Sequence, residues 1–263
     1  MWSGSSRRSS NKYNDELINN KYDPSHNGLG FFIKKYMANL AKLVYDIRTA
    51  IRDTVDDQKF SDRYLIHLYN LKRSKYLRND ANNLQKLIDT SILQKFCLEM
   101  KEVSVNECGL DYDCDTIMRS KTTIPTPLEL HLKSAITEVK PTVKISKPFN
   151  FVNKERAVWS QYSPFAESIY AFLDTDKYIY LISKSETVKL IDCITVTGIF
   201  EDPLELQNYK NCGGCEDSKP CFDEDTTEYP LQAHHIDSIR NEIIQTLIGS
   251  LKLPEDNIND ANS

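Results

Sequence analysis

Hydrophobic positions along this chain change their period twice. Between residues 29 and 51, Phe32, Ile33, Tyr36, Met37, Leu40, Leu43, Val44, Ile47 and Ile51 recur at steps of three and four, which is one buried stripe on a helix. Asn27 and Gly28 suit its start, and Asp56, Asp57 and Gln58 its end. Ser61 reads as an N-cap, with Asp62 favourable at the positive end of a second helix over 61–78 that turns Tyr64, Leu65, Leu68 and Leu71 inward. A third helix from about residue 80 carries Leu84, Leu87, Ile88 and Ile92 on one side. At Gln94 the period drops to two. Phe96, Leu98 and Met100 alternate with Cys97, Glu99 and Lys101, so a strand leaves the helices here.

A polar loop containing Pro125 and Pro127 follows, then weaker strand signals over 134–139, 142–146 and 157–162. The strongest β signal lies in 168–203. A strand over 169–173 turns at Asp174, Thr175 and Asp176 into another over 178–182, and a third spans 188–200 until Glu201, Asp202 and Pro203 end it. Residues 204–209 suit one helical turn. From Pro230 the helical period returns, with Ile236, Ile239, Ile243, Ile244, Leu247, Ile248 and Leu251 on a wide stripe that Pro254 stops.

These periods predict an α+β fold in which N- and C-terminal helices form a helical bundle interrupted by an inserted antiparallel β-domain. The expected division is a flexible arm over 1–28, a bundle of 29–94 with 230–253, a β-domain over 95–210, an acidic cysteine-containing loop over 211–229, and a flexible tail over 254–263.

Composition adds little to this until charge is divided along the chain. The net charge of −5 splits into +6 over residues 1–100, −1 over 101–200 and −10 over 201–263. A basic front and an acidic end suit head-to-tail contact between copies, and equally suit two solvated faces. Hydrophobic residues at 40% and charged residues at 27% are those of a globular chain, no apolar run is long enough to span a bilayer, and the first residues lack the apolar core of a signal peptide. With seven cysteines and no secretory signal, reduced thiols are the expectation.

Candidate chemistry is sparse. Cys212 and Cys215 form a CxxC around two glycines, with Cys221 six residues on. Two thiolates at that spacing are half of a zinc site, which Cys221, Cys108, Cys114, His234 or His235 would have to complete; the plainer reading is a surface loop of free thiols without a metal. His234, His235 and Asp237 open the last helix, where the aspartate favours the helix N-terminus, and no nucleophile is spaced to them locally. The basic second helix, with Arg63, Lys72, Arg73, Lys75 and Arg78 among Tyr69 and Tyr76, could track phosphates, although long cationic side chains commonly cover an exposed helix face.

The order of phrases carries a further reading. A helical front with FSDRYLIHLYNLKRSKYLRND leads to a loop bearing Cys108 and Cys114, then to MRSKTTIPTPLEL, tyrosine-rich paired strands, ITVTGIFEDP, YPLQAHHIDSIRNEII and LPEDNINDA. Over roughly 29–261 this resembles the head-to-tail ring (adaptor or connector) proteins of tailed bacteriophages, most of all those of crAss-like phages. The resemblance implies a virion structural protein without enzymatic activity or cofactor, made in the host cytoplasm and placed in the neck. It implies a ring of about twelve copies that contacts the portal above and the next ring or tail protein below, with the genomic DNA passing close by and no membrane involved. It further implies that residues 254–263 order only on docking. The rival readings are a small zinc-stabilised nucleic-acid-binding protein using Cys212, Cys215 and Cys221, and a hydrolase that would need Cys212, Cys215, His234 and His235 to converge.

Overall fold

Strand β1, Gln94–Ser104, is the centre of the fold. The computed structural model describes residues 38–52, 60–83, 89–110, 112, 115–131, 133–142, 147–162, 168–210 and 220–251, all within one compact unit. On one side β1 pairs antiparallel with β7 (Cys193–Gly198), and on the other with β2 (Thr116–Ser120). With β3 (Ile136–Pro141), β4 (Asn150–Phe151), β5 (Tyr170–Leu173) and β6 (Ile179–Ile182), the sheet has seven strands in the order β3-β7-β1-β2-β6-β5-β4. All pairs are antiparallel except β4 with β5. The sheet curls until its ends nearly meet, for the Phe149 amide, just before β4, donates to the Val139 carbonyl of β3 at 2.8 Å. The molecule is therefore a near-barrel.

Helices cover this sheet; they do not form a bundle of their own. Helix α1 (Leu40–Arg52) contributes Leu40, Leu43, Val44, Ile47 and Ile51, α2 (Asp62–Asn82) contributes Leu65, Leu68 and Tyr69, and α5 (Ala233–Leu251) contributes Ile239, Ile243 and Leu247. These share one apolar cluster with Phe96, Leu98 and Met100 of β1, Ile194 and Val196 of β7, and Leu181 of β6. The expected bundle carrying an inserted β-domain is thus corrected: α5 does pack on α1 and α2, but the sheet is the floor of their common core. A second cluster on the far face joins Val103, Ile117, Phe172, Tyr180 and Ile182 to Val105 of the short helix α3 (Val105–Cys108) and Ala157 of α4 (Lys154–Trp159). Both faces of the sheet are therefore buried in this half.

Local chemistry sets the ends. Asn39 caps α1 by accepting from the Lys42 amide, and Ser61 caps α2 by accepting from the Tyr64 amide. Residues 29–37, the front of the expected first helix, and residues 84–88 of the expected third lie outside the described residues; Asp80 belongs to α2 and Ile92 to a 3-10 turn, Thr90–Ile92. The buried side of α2 is Leu65, Leu68, Tyr69 and Leu77, so Tyr64 and Leu71, expected inside, are exposed. Residues 157–162 form no strand. They are the end of α4 and a 3-10 turn, Ser160–Tyr162. Residues 186–190 are likewise a 3-10 turn that leads to β7.

Candidate functional site

The cations of α2 test the nucleic-acid and head-to-tail readings together. Arg73 is fully buried, and its Nε donates to the Pro230 carbonyl and its Nη1 to the Phe200 carbonyl, both at 2.8 Å. Its guanidinium also lies over the Tyr229 ring, 5.7 Å from the centroid. Lys72 and Lys75 both reach Glu242 of α5, at 2.8 and 2.9 Å, and Arg78 reaches Glu201 at 2.8 Å. Hydrogen bonds from those two lysines hold the Glu242 carboxyl below its ordinary range. The basic front is therefore matched, at these positions, by the acidic end of the same molecule. Arg63 remains on the open side, at the mouth of a groove of about 470 Å³ between α2 and residues 201–204 that Leu71 and Asp202 also line.

Of the zinc candidates, Cys212 and Cys215 lie outside the described residues. Cys221 is half-buried, and its thiol donates to the Lys210 carbonyl. Burial, and then the neighbouring Cys97, push the Cys221 thiol up to about 12. Cys97, Cys108 and Cys221 stand outside any disulfide, whereas Cys193 is disulfide-bonded, against the expectation of reduced thiols throughout. His234 and His235 sit in the first turn of α5, with their rings 3.9 Å apart. His235 Nε2 lies 2.7 Å from Asp80 Oδ2 at the last turn of α2, a partner that the sequence reading did not connect to it.

What the surface does offer is apolar area. Trp159 and Tyr162 pack edge to face at 5.6 Å while remaining 69% and 70% exposed. They were hidden by the strand reading, which puts residues three apart on opposite faces, whereas a helical turn puts them side by side. Tyr45 on α1 and Leu190 before β7 are also exposed. Large aromatics standing exposed beside a buried core are features of a surface that contacts other proteins.

The comparisons agree with that class. The profile of the family phage tail ring protein 2 matches residues 42–263, and the chain belongs to this family. The chain is similar to "Ring protein 2" of Bacteroides phage crAss001, with 23% identity over 223 residues that cover 84% of this chain and 95% of the relative. It is a structural protein of a phage tail ring, and the virion tail is its place. Among the described residues, no helix is long and apolar enough to cross a membrane.

Proposed function

We propose that copies of this chain close head to tail into a ring in the virion neck, joining the portal to the tail around the channel through which the genome passes. Family membership supports the ring. The single observation that carries the contact is the Trp159–Tyr162 pair, because two large aromatic faces left in water are costly unless a partner covers them. A rotation that closes makes a ring of about twelve copies, and one that does not close makes a filament. Since Lys72, Lys75 and Arg78 are held by acids of their own molecule, the role toward DNA is to surround it, not to grip it with α2. The neck role requires no catalytic group.

The test is reconstitution with the portal assembly of the same phage, read by native mass spectrometry and negative-stain imaging. Wild-type chain forms a closed ring on the portal. Trp159→Ser together with Tyr162→Ser leaves monomers of unchanged thermal stability that do not assemble. Rings of normal size from the double variant would remove the aromatic pair from the interface, and wild-type chain that never engages the portal would remove the neck placement.

A further inference from the structure

Helices α2 and α5 meet at a set of side chains that neither the ring role nor the core accounts for. Asp80 projects from the last turn of α2, and His234 and His235 from the first turn of α5. One donor atom from each of the three lies within 4.8 Å of the others. His235 is only 9% exposed and is walled by the Tyr76 ring at 5.0 Å, one turn before Asp80 on the same helix. His234 is exposed and borders a cavity of about 310 Å³ lined also by Asp89 and Glu228.

We propose that Asp80, His234 and His235 form a divalent transition-metal site, with zinc the ion its donors suit. Two imidazole nitrogens and one carboxylate oxygen are a borderline set, which selects zinc over calcium or magnesium. Tetrahedral zinc places its donors about 3.3 Å apart. Asp80 and His235, at 2.7 Å, need to part by about 0.6 Å, and the exposed His234 closes the rest by a side-chain rotation. The two donor turns belong to packed helices, so the backbone positions of all three donors are held close together and only side chains need adjust. Carboxylates of Asp89 and Glu228 in the adjoining cavity favour the approach of a cation. The open side of His234 leaves the fourth position to water. A bound ion ties the end of α2 to the start of α5, two elements that otherwise meet through apolar packing and the Glu242 pairs.

The experiment is a titration of the chelator-treated full chain with zinc chloride, followed by calorimetry and by thermal melting. One ion binds per chain and raises the melting temperature. His234→Ala, whose own metal-free melt serves as its reference, weakens binding at least tenfold and abolishes that rise. Replacing Cys212 and Cys215 by serine leaves both readouts as in wild type. Copper as a probe gives a paramagnetic resonance spectrum with nitrogen splitting from two imidazoles, reduced to one in His234→Ala. Absence of saturable binding at millimolar zinc, or binding that survives His234→Ala and disappears with the two cysteines, overturns the proposal.

Discussion

At the scale of the residue, Arg73 holds the most consequential position in the molecule. A fully buried guanidinium costs several kcal/mol of desolvation, and burial drives its pKa downward; two carbonyls and an aromatic face replace part of its water, while Nη2 is buried without a hydrogen-bond partner. The carbonyls of Phe200 and Pro230 belong to the end of the sheet and the approach to α5, so one side chain on α2 joins three parts of the fold. Arg73→Ala leaves these acceptors unpaired and should lower unfolding free energy by about 3 kcal/mol in a urea melt; a loss below about 1 kcal/mol would show that the carbonyls find water instead. Cys221 makes a smaller, chemical prediction. Its raised pKa keeps the thiol protonated at pH 8, so iodoacetamide should alkylate it far more slowly in the folded chain than in denaturant. Equal rates would place it outside the environment described here.

At the scale of the element, the α2–α5 contact is partly an electrostatic clasp. Glu242 has its folded pKa below the unfolded carboxylate value, so its contribution is fully present above about pH 4.3 and fades as pH falls through the folded pKa. Glu242→Gln should cost about 0.5–1 kcal/mol at pH 7 and nothing near pH 2, read from melts at both values. The β3–β7 pairing depends on Gly198. A Cβ there would meet the Ala135 carbonyl at 2.9 Å, beside the register shift between Ile136 and Glu138. Gly198→Ala should destabilise by about 1–3 kcal/mol, as overpacking does, and should speed amide exchange in β3 before β1.

Elements were legible where period and burial agreed. The strands over 170–173 and 179–182, the turn between them, the final helix and the cap at Ser61 all followed from local chemistry. Strand β2 was hidden because Thr116–Ser120 sits in an acid-rich, proline-ended stretch and gains its pairing from β1 and β6, not from its own pattern. Helix α4 was misread because Ala157, Val158 and Trp159 are too short an apolar run to show a period. The Asp80–His235 contact joins residues 155 apart, a separation no local pattern encodes.

At the scale of the whole molecule, the charge profile had two solutions, contact between copies or contact within one. Lys72, Lys75 and Arg78 take the second, leaving the aromatic surface at Trp159 and Tyr162 as the stronger candidate for contact between copies. A nearly closed sheet also suits a ring subunit, since it leaves little free edge on which strands of other chains could pair at random. The central claim is that this chain surrounds the axis of the virion neck as a closed ring of identical copies. A side-chain-resolution reconstruction of that neck tests it most directly. The account predicts a ring of this chain between portal and tail, with Trp159 and Tyr162 buried against the adjacent copy. A neck without this chain, or a ring in which both aromatics face solvent, would contradict it.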